Sequence, residues 1–189
     1  MRRVSRTGLF VGCFWLAAVA ANSQEIVHAL TGTVNDVDQN AKTITIFTAD
    51  ASGGTFKDLT NPGTKLDFDK KIRADATEAN AFDKKGAYAI VYYFGNGSAR
   101  TAVAVRPLGS GPFTKSVGTV TKFDGRSRLL SIQEEQGKVE SFKIDADTVA
   151  ETSLGVVEGA KLQPQKDERV QVIAATVNGT PTALFVVAM

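Results

Sequence analysis

An all-β chain with minor helix, arranged as two tandem five-stranded small barrels, is the fold class this sequence predicts. The first sign is a duplication: Gly32-Thr33-Val34 with Asp38 behind it returns as Gly118-Thr119-Val120 with Asp124, at an offset of 86. A self-similar period this long marks duplicated domains rather than a solenoid of short units. The second sign is period-2 alternation bounded by turn residues, the pattern of half-buried strands. The third is an Asn-Gly dipeptide late in each copy, Asn96-Gly97 and Asn178-Gly179, set between apolar runs. Both residue types tolerate the positive φ of a type I′ hairpin turn.

The elements follow in order. In the first copy Thr31, Thr33 and Asn35 alternate with Leu30, Gly32 and Val34, and Thr43 and Thr45 alternate with Ile44 and Ile46 beyond an Asp38-Gln39-Asn40-Ala41 turn. Val117 to Phe123, the Asp124-Gly125-Arg126-Ser127 turn, Leu130 and Ile132 repeat this hairpin. A third strand is expected around Leu66 and Phe68, matched by Phe142 and Ile144. That offset of 76 assigns 10 extra residues to the first copy, within Ala49 to Thr64, whose glycines, threonines and Pro62-Gly63 read as an exposed loop. The Ala-rich stretch Asp75 to Phe82 suggests a short helix ending near Gly86. The last two strands are Tyr88–Phe94 with Ala99–Arg106, and Arg169–Val177 with Thr182–Val187. Closing five such strands removes exposed edges. The first barrel is placed at 25–106, a linker rich in Gly and Pro at 107–114, and the second barrel at 115–189.

Residues 1–21 read as a secretory signal peptide. Arg2, Arg3 and Arg6 precede an uncharged stretch from Gly8 to Ala21 that holds Ala18-Val19-Ala20, a small-x-small triplet. At 14 residues the stretch is shorter than the ~20 needed to span a bilayer. Cleavage removes three arginines from a total of 22 Lys+Arg against 20 Asp+Glu, which takes the net charge from +2 to −1. The mature chain then offers no general attraction for polyanions. Its single cysteine, Cys13, leaves with the signal, so the mature protein has no disulfide and depends on its cores.

At this point the chain resembles a family. Gly-Thr-Val with a following Asp, a Thr/Ile-rich second strand, Ile144-Asp145-Ala146-Asp147-Thr148 and a closing Asn-Gly hairpin are similar to small OB-like barrel domains of exported bacterial proteins. The resemblance covers nearly all of the mature chain, once per copy. It implies fold and export, and it carries no catalytic residues to transfer.

Little in the mature chain suits familiar catalysis. One histidine, His28, and no cysteine remove the usual zinc sites and a Ser/His/Asp triad. His28 reads as a solvated residue near the terminus. Asp36-Val37-Asp38-Gln39-Asn40 begins like a calcium loop but has Ala41 for the turn glycine and Phe47 for the closing glutamate, so it reads as a hairpin turn. Asp67 with Asp69, and Asp145 with Asp147, would share a face if each pair lay on a strand. Asp145 and Asp147 are therefore weak candidates for metal binding, and either pair could serve a carboxylate-dependent hydrolase. Tyr88, Tyr92 and Tyr93 with Lys84, Lys85 and Arg100 are the one aromatic–basic cluster; export and near-zero charge argue against nucleic acid.

Aligning the fourth strands at an offset of 82 places Tyr88, Ile90 and Tyr92 inside the first barrel and Tyr93 outside, since the opposite choice turns Gln171 into a core. Tyr93 and Arg100 are thereby the candidate binding residues, an exposed tyrosine combining large apolar area with a polar tip. The expectation is an exported, periplasmic or secreted protein without catalytic residues or cofactor. It would bind an envelope or extracellular protein or small ligand, with no nucleic acid and no membrane segment after cleavage. A purely structural envelope component is the third reading.

Overall fold

The computed structural model describes residues 25–48, 53–58, 66–67, 70–109 and 111–189. The signal segment lies outside the described residues. The first copy comprises β1 (Glu25–Ile26), β2 (His28–Asp38), β3 (Thr43–Phe47), β4 (Gly54–Asp58), β5 (Leu66–Asp67), α1 (Lys70–Ala74), β6 (Thr77–Glu78), β7 (Tyr88–Phe94) and β8 (Thr101–Pro107). The second comprises β9 (Thr114–Asp124), β10 (Leu129–Glu134), β11 (Val139–Lys143), β12 (Val149–Thr152), β13 (Gly155–Glu158), β14 (Arg169–Val177) and β15 (Thr180–Ala188).

The fold is all-β, and each copy closes on itself. The first sheet runs β4-β3-β2-β7-β8 and is completed by a parallel β4–β8 pairing. The second runs β11-β10-β9-β14-β15 and is completed by a parallel β11–β15 pairing. In both, the first barrel strand pairs with the second and fourth while the third meets the fifth, which is OB-like connectivity. The turn after the first strand is built identically. Asp38 Oδ1 accepts the amides of Asn40 and Ala41, and Asp124 Oδ1 those of Arg126 and Ser127. Lys42 and Arg128 then take positive φ at equivalent places. Asp38 is a turn cap, as its sequence context indicated.

Three expectations need correction. The third strand of the first barrel is β4, inside the segment read as a loop. Phe56 is fully buried in the barrel core and stands 86 residues before Phe142, so the offset runs unbroken through three strands and the extra residues fall after the third. Leu66–Asp67 instead pairs in parallel with β1, and Phe68 lies outside the described residues. Second, Asp75–Phe82 is not a helix: α1 precedes it, Thr77–Glu78 pairs with β8, and Ala79–Ala81 is a single 3-10 turn. Tertiary packing decides this, because the turn drops Ala79 and Phe82 into the barrel core, as the Gly159–Lys161 turn does for Leu162 in the second. Third, only Asn178-Gly179 forms the expected turn, both residues having positive φ. Asn96 is extended and Gly97–Ala99 form a 3-10 turn, giving a longer loop that ends at Arg100.

Each barrel has its own core, around Ile44, Phe56 and Val91 in the first and Leu130, Phe142 and Val172 in the second. A third core joins them. Val27, Ile90 and Tyr92 from the outside of the first barrel pack with Val149, Ile173 and Phe185 from the outside of the second, all at 2 % exposure or less. Burying side chains of this size is worth about 1.5–3 kcal/mol each. The linker takes part, with Leu108 and Phe113 against this core and Phe113 stacked on Tyr88 at 5.1 Å.

Candidate functional site

The seam between the barrels is where the side chains of both copies converge. Val156 N–H donates to Val27 O at 2.9 Å, and Arg106 Nη1 donates to Asp147 O at 2.8 Å. Glu151 on β12 reaches across to the first barrel, where its Oε1 lies 2.6 Å from His28 Nδ1 and its Oε2 accepts the Ala29 amide at 2.8 Å. His28 is thus a seam residue, not the solvated terminal residue expected. Burial raises the Glu151 carboxyl above its ordinary value, against the opposing pull of its bonds to His28 and Ala29. Gly155 permits this docking: its φ is +99°, and a Cβ there would sit 2.8 Å from Val27 O.

Tyr93 and Arg100 come together at one end of the seam. The structure reverses the predicted face of β7: Ala89, Val91 and Tyr93 face the barrel core, while Ile90 and Tyr92 face the other barrel. The correct offset between fourth strands is 81, fixed by Gly32 pairing with Ala89 as Gly118 pairs with Val170. A one-residue slip exchanges the faces of a strand. Tyr93 is half-buried, its ring 5.2 Å from Phe56 and 5.9 Å from His28. The Arg100 guanidinium lies over Phe56 at 4.3 Å and over Tyr93 at 5.6 Å, and donates to Gly53 O at 3.0 Å. Burial, then the charge of Glu151, raises the Tyr93 hydroxyl above its ordinary value, with Arg100 opposing. Both residues line a pocket of about 280 Å³ with Glu151 and Gln171.

A larger cleft, about 640 Å³, opens on the other side of Thr31 and Gln171, which line both spaces. Its first-barrel wall carries Thr31, Thr33, Asn35, Phe47, Thr48 and Tyr88; its second-barrel wall carries Lys115, Gln171 and Ile173. The volume falls within the ~300–1,000 Å³ of small-molecule clefts. Apart from Tyr88, which the aromatic–basic cluster included, sequence reasoning missed these residues. The available signal was the series Thr31, Thr33 and Asn35 on β2, which brings hydroxyl and amide groups to the cleft, and Phe47, which ends the Thr43, Thr45 alternation with an outward ring.

Asp145 and Asp147 are not brought together as a ligand pair. β11 ends at Lys143, so Asp145 and Asp147 lie on a turn and not on one strand face. Asp145 Oδ1 accepts from the amides of Asp147 and Thr148 and from the Thr148 hydroxyl, which makes it a turn cap. Asp67 belongs to β5, and Asp69 lies outside the described residues. Among the described residues no three His, Cys, Asp or Glu side chains gather as for a metal ion, and no helix is long and apolar enough to cross a membrane. The chain matches no protein-family model and no curated protein.

Proposed function

We propose that this is an exported, non-enzymatic binding protein of the cell envelope, whose two duplicated barrels hold a ligand in the cleft between them. The observation that carries this reading is the composition of the cleft. Both copies supply its walls, and it combines two aromatic rings with several neutral hydrogen-bonding side chains. Convergent polar groups in a roomy concavity between domains are the usual setting of a binding site. Arg100 and Tyr93 line the smaller neighbouring pocket with Glu151, and that pocket shares Thr31 and Gln171 with the cleft.

Immobilised mature protein exposed to a native envelope fraction tests the reading. A component retained by the wild type should be lost from Asn35→Ala and Phe47→Gln, and kept by Leu129→Ala, a substitution at the far end of β10. Equal retention by all of them rejects the cleft. The export half of the proposal predicts a mature chain beginning between Ala21 and Gln24, read from the mass of the exported protein; an intact Met1 there contradicts it.

A further inference from the structure

The first-barrel wall of the cleft contains a row of three side chains across three strands. Phe47 on β3 pairs with Thr33 on β2, and Thr33 pairs with Tyr88 on β7. Cross-strand partners share a sheet face, so all three project outward, with the rings two strand spacings, or about 10 Å, apart. The second barrel has the same row: Gln133 pairs with Thr119, and Thr119 with Arg169. The central threonine is common to both copies, but the flanking residues differ. The second barrel closes with an amide and a cation in those places, so barrel closure does not require the rings; Tyr88 also stacks on Phe113 at the seam, whereas Phe47 has no such ring partner among the described residues. Phe47 is 71 % exposed and open to contact.

The surroundings of the row limit what it can hold. Thr31, Asn35, Thr48 and Gln171 offer hydroxyl and amide groups, which both donate and accept. Lys115 is the one charged side chain among the described residues lining the cleft. A polyanion would find a single cation there, although phosphate or carboxylate contacts supply most of the affinity for such ligands. An acyl chain would bury the hydroxyls and amides without partners. A sugar chain meets both demands: its hydroxyls donate and accept, and the C–H faces of its rings stack on aromatic rings. In an extended β-1,4-linked chain, alternate rings repeat at close to the spacing of Phe47 and Tyr88.

From this geometry we infer that the cleft binds a neutral β-linked oligosaccharide. Phe47 and Tyr88 are the stacking platforms, and Thr33, Asn35 and Gln171 are hydrogen-bonding partners. This rests on the cleft reading above and narrows it to one ligand class. The test is calorimetric titration of the mature protein with cellohexaose, chitohexaose and, as the anionic comparator, hexagalacturonate. At least one neutral hexasaccharide should saturate a single site. Phe47→Gln, which installs the residue the second barrel carries there, should weaken it about tenfold or more at unchanged melting temperature. Asn35→Ala should weaken it as well. Preference for hexagalacturonate, or equal binding by Phe47→Gln, overturns the inference. If both neutral sugars fail while Phe47→Gln still loses the envelope component kept by the wild type, the ligand class is wrong and the cleft stands. If that retention is also unchanged, both readings fall.

Discussion

His28 Nδ1 and Glu151 Oε1 lie 2.6 Å apart although 123 residues separate them, and this contact fastens the first strand of one barrel to the hairpin of the other. Glu151 also holds the Ala29 amide. Glu151→Ala leaves that amide and the imidazole without their acceptor and should cost about 1.5–3 kcal/mol in urea unfolding, the scale of hydrogen bonds to a charged group. The carboxyl also has a pH signature. Burial raises its folded value above 4.5, so just above 4.5 the folded protein binds more protons than the unfolded chain. Stability from this group therefore falls as pH rises through that window. Glu151→Gln should flatten that part of the curve, with His28→Gln as the control for the imidazole facing it. An unchanged profile in Glu151→Gln would show that the carboxyl does not titrate as its burial implies.

Tyr92 tests whether the barrels are energetically separate. The two halves carry distinct cores, which favours independent melting, yet Tyr92 is fully buried in the core they share. Tyr92→Ala should cost about 3 kcal/mol or more and lower the melting of both barrels together. The same truncation confined to the first barrel's transition would show that the seam contributes little to stability. Tyr93→Ala should also be strongly destabilising, since its ring packs on Phe56 inside the barrel.

What the sequence made legible follows from where it alternates. The Gly-Thr-Val triplets and the capping aspartates are flanked by regular alternation or clear turn chemistry and are legible in register, whereas the β12–β13 hairpin, interrupted by Gly155 and Gly159, is not. β4 has one apolar residue, Phe56, among Gly54, Thr55, Lys57 and Asp58, too little for a periodic signal. β7 fails for the opposite reason. Tyr88 to Phe94 is apolar or aromatic throughout because one side faces the barrel and the other the seam, so alternation cannot choose a face. The His28–Glu151 contact and the cleft depend on how the barrels dock, which no local pattern encodes.

The glycine of each triplet has one explanation in both copies. A Cβ on Gly32 would stand 2.5 Å from Phe47 O, and one on Gly118 would stand 2.5 Å from Gln133 O. The obstacle is backbone of the paired strand, which cannot rotate away. Gly118→Ala should cost about 1–3 kcal/mol as overpacking, and Gly32→Ala a similar amount. Thermal unfolding of the two variants checks this, and neutral behaviour in either would mean the strands can part at no cost.

Asp58 puts a buried carboxyl in the first copy where the second has an apolar side chain. At the repeat offset it corresponds to Ile144, which is buried at 1 % exposure, while Asp58 is buried at 4 %. Its Oδ1 has no hydrogen-bond partner among the described residues. Burial raises its carboxyl above the ordinary 3.8, with Lys42 opposing. The folded state therefore holds the Asp58 proton above 3.8, where the unfolded chain releases it, and stability from this residue falls as pH rises through that interval. At neutral pH the carboxylate is a burden on the fold. Asp58→Ile, which restores the second barrel's residue, should stabilise the protein by at least ~1 kcal/mol at pH 7, the lower range for an unpaired buried polar group. Asp58→Asn removes the charge at nearly constant volume and separates electrostatics from packing. The advantage of both variants should shrink as the pH is lowered toward 3.8. Denaturation curves at several pH values decide it: a wild type more stable than Asp58→Asn at neutral pH would mean that the carboxylate is held by a favourable partner.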